Sequence, residues 1–193
     1  WPSGAAGGRV TANPEFVEHY LDDDGTLRID TVRPDYSPNY LDPEAAREFL
    51  RIAYEPYWER YREHFGETIP GFFNDEIRFV HARPWSAHLG EPPQDRAEYM
   101  KIVAQGFLDY VRVIADWCAE REVELIGHVM GEETLCSNTR YVGAILPMLD
   151  LFHQPGSDHL GTCCEGMHMR VAASAAHLNG FRPVTCEAGA HFP

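Results

Sequence analysis

Ile69-Pro70-Gly71-Phe72-Phe73-Asn74-Asp75-Glu76 reads as a short apolar strand that closes in acid. Two further stretches share the pattern. Val123-Glu124-Leu125-Ile126-Gly127-His128 is followed at once by Glu132 and Glu133, and Arg182-Pro183-Val184-Thr185-Cys186 ends on Glu187. Helical periodicity fills the gaps between them. Buried strands alternating with helices predict a parallel sheet with right-handed crossovers. Carboxylates at the C-terminal ends of those strands are the one-dimensional form of an α/β barrel active site. The fold class read from this pattern is α/β, a (β/α)8 (TIM) barrel. A complete barrel of this kind needs roughly 250 residues, whereas the chain has 193. The expectation is therefore a partial barrel, a single catalytic domain cut from a longer multi-domain protein. The Gly/Pro-rich opening, residues 1–14, fits an internal loop better than a natural start.

The helices are legible from caps and stripes. Asp42-Pro43 supplies an N-cap and a first-turn proline. An apolar stripe then runs from Phe49 to Phe65, with a kink expected at Pro56 and an end at Gly66. Asp95, with Glu98 three residues on, opens a helix that runs to about Arg121. A third helix is expected near 139–147 and a short strand near 148–153. Gln154-Pro155-Gly156-Ser157-Asp158 reads as a turn-rich loop. A small-residue helix covers 165–179, ended by Asn179-Gly180, and residues 15–33 suggest a hairpin or an edge.

Composition narrows the function. Sixteen Lys plus Arg against 30 Asp plus Glu leave a formal charge of -14. Nucleic acid is not the expected partner, because phosphate neutralisation needs a basic surface. No apolar run approaches the roughly 20 residues of a membrane span. Five cysteines with no CxxC spacing read as free thiols rather than a disulfide framework or zinc site. An acidic cleft suits a neutral sugar or a divalent cation.

The candidate chemistry is hydrolysis of a glycosidic bond by paired carboxylates. Glu76 is the candidate general acid, with Phe72, Phe73 and Trp85 as apolar walls that would favour its neutral form. Glu187 is the candidate nucleophile or base, with Glu132 as the other candidate for that place. His128, Asp75, Asp158, Glu133 and Trp85 are candidate sugar-binding residues, the tryptophan by stacking. Each has a plainer alternative: an N-cap, a strand-end carboxylate on a backbone amide, or a histidine satisfied locally. The ten histidines form no HExxH. Carboxylates and sugar oxygens suit a hard cation better than a histidine-bound transition metal.

Trp1-Pro2-Ser3-Gly4, Tyr40-Leu41-Asp42-Pro43-Glu44-Ala45 and Gly71-Phe72-Phe73-Asn74-Asp75-Glu76 occur here in a recognisable order. They are followed by Asp116-Trp117-Cys118, Ile126-Gly127-His128, Gln154-Pro155-Gly156-Ser157-Asp158-His159-Leu160, Ala173-Ser174-Ala175-Ala176-His177 and Val184-Thr185-Cys186-Glu187. This succession resembles the α-L-rhamnosidases of glycoside hydrolase family 106. The resemblance implies a barrel of which this chain carries about strands three or four to seven. It places Glu76 at the end of the fourth strand as the acid, Gly127-His128 at the fifth and Glu187 at the seventh. It also implies an inverting reaction, a calcium ion near the sugar hydroxyls, and a periplasmic or secreted enzyme of polysaccharide degradation. Free thiols, by contrast, suit a cytoplasmic setting. Two rivals stand beside this reading: a retaining hydrolase of β-galactosides or β-glucuronides, and a non-catalytic carbohydrate-binding barrel.

Overall fold

The computed structural model describes residues 38–79, 84–158, 167–180 and 182–188, and the backbone alone of 17–21, 27–31 and 159. Strands β1 (Val17–Leu21) and β2 (Leu27–Thr31) pair antiparallel, the expected hairpin. The rest is built on a four-stranded parallel sheet in the order β3 (Gly71–Ile77), β4 (Glu124–Val129), β5 (Gln154–His159), β6 (Thr185–Ala188). Each strand lies beside its predecessor in the chain. This is a mixed α/β fold; where a (β/α)8 barrel is expected, the described residues contain a four-stranded parallel sheet.

The helices form where their caps predict. The Asp42 side chain accepts the Glu44 amide at 2.9 Å and opens α1 (Pro43–Phe49). The proline at 56 cannot donate to an i−4 carbonyl. The chain absorbs that loss in a π-helical turn, Leu50–Tyr54, before resuming as α2 (Glu55–Tyr61). Asp95 accepts the Glu98 amide at 2.8 Å and caps α3 (Arg96–Ala119). Thr134 caps α4 (Leu135–Tyr141), which is followed by α5 (Ile145–Leu149) and, after β5, by α6 (Met167–Leu178).

Two expectations fail here. The strand expected near 148–153 is instead the end of α5 and a turn, and residues 154–158, expected as a loop, lie in strand β5 (Gln154–His159). The cause lies in what Pro155 and Gly156 do. A Cβ on Gly156 would stand 2.5 Å from Thr185 Oγ1 and 2.9 Å from the Gly127 carbonyl oxygen. Glycine is present because neighbouring strands crowd that point, not because the chain turns. Gly127 is similar, with φ +124° and room for no side chain against the Asn74 carbonyl.

Side-chain alternation divides the sheet into two faces. The register sets Phe73 against Ile126, Ile126 against Gln154, and Asp158 against Glu187. Phe72, Asn74, Leu125 and Val129 therefore face the helices, and Phe73, Asp75, Ile126, His128, Asp158 and Glu187 face the other way. The helix side is a dense aromatic core. Phe72 stacks on Tyr54 at 4.0 Å and meets Trp117 edge-on at 5.8 Å, and Tyr54 donates to the buried Asn74 Oδ1 at 3.1 Å. Phe107, Val111, Ile114 and Cys118 extend this core along α3. The opposite face is less covered among the described residues, and Phe73 there is 52 % exposed. Among the described residues no helix is long and apolar enough to cross a membrane, and Cys118, Cys136 and Cys186 are free thiols.

Candidate active site

Acid collects at the C-terminal edge of the parallel sheet, on the face away from the helices. His128, the fifth residue of β4, is its centre and is only 1 % exposed. Its Nε2 lies 3.1 Å from Glu187 Oε2 on β6 and 3.5 Å from Asp75 Oδ1 on β3. The ring meets Phe73 edge-on at 5.8 Å, which limits its tilt. Asp75 and Glu187 are far apart in sequence, and their side chains are 67 % and 45 % exposed. They can therefore reach a ligand while the imidazole between them is fixed.

Glu132 stands behind the ring. It is 3 % exposed, and its Oε1 is 3.8 Å from His128 Nδ1, which makes no hydrogen bond. The Asp158 amide donates to Glu132 Oε2 at 2.8 Å, and the Val129 amide donates to Oε1 at 3.4 Å. One carboxylate thus ties the ends of β4 and β5 together. Burial pushes Glu132 up to about 7, against the opposing pull of the Asp158 amide, His128 and the Val129 amide. The loop bearing it is held from below, where the buried Asn138 donates to the Gly131 carbonyl.

Asp158 lies across from Glu187 in the β5–β6 register, with its Oδ1 buried and unpaired. Its carboxyl is held above its ordinary range, first by burial; His128 opposes this, while Glu187, Asp75 and Glu133 reinforce it. Glu133 is exposed beside Glu132, so of the two neighbours the first turns inward and the second faces water.

Glu76 takes a different direction from Asp75. The β3–β4 register slips between Asn74 and Ile77, and Glu76 has φ +47°, unusual for a side chain with a Cβ. Its Oε2 pairs with Arg78 Nη1 at 3.3 Å. Strand parity and this bulge bring Asp75, rather than Glu76, to His128. Trp85 stacks on Tyr99 of α3 at 5.5 Å and donates from Nε1 to the Gly90 carbonyl at 2.7 Å. Its described contacts are with the helical layer, not with the acids. Arg78, the brace on Glu76, escaped the sequence reading; its place two residues after Glu76 at a strand end was the available signal.

Asp75, His128 and Glu187 each offer a ligand atom, all within 4.8 Å of one another. Calcium, implied by the resemblance, takes six to eight oxygen ligands. This cluster supplies two carboxylates around a buried imidazole nitrogen, so its donor chemistry does not fit calcium. Two grooves among the described residues lie elsewhere. One, of about 780 Å³, runs between Leu41, Pro43 and the first half of α3; the other, of about 360 Å³, lies between Arg47, Glu55 and the end of α3.

No protein-family model matches the chain, and no curated protein does. Among solved structures, a rhamnosidase from Novosphingobium sp. PP1Y superposes with a TM-score of 0.60 over 90% of this chain, at 18% identity. The chain spans 19% of that protein's length. The likeness is one of fold, and any relationship is distant.

Proposed function

We propose that the chain is an arc of a (β/α)8 barrel in a glycoside hydrolase, and that Asp75 and Glu187 are its reacting carboxylates. The observation that carries this is their convergence: exposed acids from the ends of β3 and β6 meet at one buried imidazole. The fold likeness to a rhamnosidase supports an L-rhamnoside as the substrate, and the acidic rim suits a neutral sugar. Further strands of the barrel would cover Phe73 and the rest of the bare face, removing an exposed apolar surface.

Spacing sets the chemistry. Ligand oxygens of Asp75 and Glu187 lie within 4.8 Å of each other. Retaining enzymes hold their carboxyl groups about 5–5.5 Å apart, whereas inverting ones leave roughly 6.5–9.5 Å for a water. The pair therefore suits retention, in place of the inversion that the resemblance implies. Glu187, fixed by His128, attacks the anomeric carbon. Asp75 gives its proton to the departing oxygen and then, as a base, takes one from the water that frees the sugar. Glu132 does not touch the sugar. It holds His128 and the Asp158 backbone in place.

This assignment separates two neighbours on one strand. Asp75→Asn lowers kcat on an aryl rhamnoside by about 10²-fold or more, whereas Glu76→Gln changes it by less than about tenfold. Steady-state release of the aryl group by the full chain measures both. The reverse order would return the acid role to Glu76.

A further inference from the structure

We infer that Asp75, His128 and Glu187 form a binding site for one divalent cation of the borderline class, Zn²⁺ or Co²⁺ rather than Ca²⁺. The ion would bind Asp75 Oδ1, His128 Nε2 and Glu187 Oε2. These atoms are separated by 3.5 Å and 3.1 Å along the two edges that meet at the nitrogen, and by no more than 4.8 Å along the third. Ligand atoms about 2.1 Å from a four-coordinate ion stand roughly 3.4 Å from one another, so the two edges at the nitrogen match such an ion, and the exposed carboxylates are free to turn to set the third.

Three observations favour a metal over a plain hydrogen-bonded cluster. The ligands come from β3, β4 and β6 of one parallel sheet, with β5 between the last two, so all three are carried on strands rather than on loops. The nitrogen donor belongs to a ring that is 1 % exposed and cannot swing aside. The ring's other nitrogen makes no hydrogen bond and has the buried Glu132 Oε1 3.8 Å away. Metal-bound imidazoles characteristically turn that second nitrogen to a carboxylate, which fixes the tautomer and strengthens the ligand. The exposed sides of Asp75 and Glu187 leave the remaining coordination positions open to water.

The nitrogen decides the identity of the ion. Imidazole suits zinc, cobalt and their neighbours, while calcium and magnesium prefer oxygen throughout. A bound ion occupies both carboxylates of the proposed reaction, so the cation and the sugar exclude each other. That consequence rests on the hydrolase reading; the binding does not.

The test is a Co²⁺ titration of the full chain after chelator treatment, followed in the visible spectrum. One equivalent is expected to give the intense d–d absorption of a four- or five-coordinate site. Asp75→Asn and Glu187→Gln should each weaken binding at least about tenfold, and an approximately hundredfold excess of Ca²⁺ should leave the band in place. Both variants replace exposed side chains, and circular dichroism checks that they fold. A spectrum that stays that of aqueous Co²⁺ would overturn the inference. So would unchanged affinity in both variants, or displacement by an equal concentration of Ca²⁺. Zn²⁺ should inhibit aryl glycoside turnover at the occupancy that the Co²⁺ titration defines. A chain that binds Co²⁺ as described but cleaves no glycoside contradicts the hydrolase reading and upholds the metal site.

Discussion

Glu187→Gln lowers kcat on an aryl glycoside by about 10³-fold and leaves the thermal midpoint close to that of the wild type. The two halves of that result have separate causes. The carboxamide cannot attack an anomeric carbon or stabilise the cationic sugar, so the chemistry stops. Its oxygen still accepts from His128 Nε2, which lies 3.1 Å from the present carboxylate. The side chain is 45 % exposed, so neither a cavity nor a stranded charge is created. Turnover and thermal unfolding of the same preparation check both. If activity and stability fell together, Glu187 would be a structural acid at a strand end.

The second large effect is on stability. Glu132 ionises near 4.5 in the unfolded chain and is pushed up to about 7 by burial in the fold. Between those values the folded chain holds a proton that the unfolded chain has released. Stability must then fall as pH rises through that window. The shift corresponds to about 3 kcal/mol lost by pH 8. Glu132→Gln mimics the neutral acid and removes the charge that burial opposes. It should match the wild type near pH 5 and exceed it by about 3 kcal/mol near pH 8, in chelator-treated protein unfolded by urea. Identical pH slopes for the two proteins would mean that Glu132 ionises without penalty. Turnover should respond differently. Glu132→Gln weakens the hold on His128 but spares Asp75 and Glu187, so it costs less activity than replacing either of them.

Much of this architecture was legible from residue patterns. Phe72-Phe73 and Leu125-Ile126 announced strands, of which only the second is buried throughout its centre, and Asp42, Asp95 and Gly180 marked helix ends that the structure contains. The acids at the ends of those strands pointed to one edge of a parallel sheet. What could not be read were features set by neighbours distant in sequence. Pro155 and Gly156 look like turn residues until Thr185 and Gly127 stand beside them. The bulge at Glu76, which sends its side chain to Arg78 and leaves Asp75 facing His128, depends on how β3 slips against β4. Burial of Glu132 follows from the Asp158 and Val129 amides closing over it. A linear pattern could nominate either Glu132 or Glu133, and only packing chose between them. Trp1-Pro2-Ser3-Gly4 and Leu160 of the family succession, and two of the five cysteines, Cys163 and Cys164, lie outside the described residues.

The account turns on whether Glu187 and Asp75 act on one sugar, and covalent trapping tests it most directly. The full chain is incubated with a 2-deoxy-2-fluoro glycosyl fluoride of the sugar it cleaves, then digested and analysed by mass spectrometry. The fluorine slows breakdown of a glycosyl-enzyme, and the fluoride leaving group lets it form. The predicted result is a single glycosyl adduct on the peptide containing Glu187, absent from Glu187→Gln. An adduct on another residue, or steady hydrolysis of the natural glycoside with no adduct at all, would contradict it.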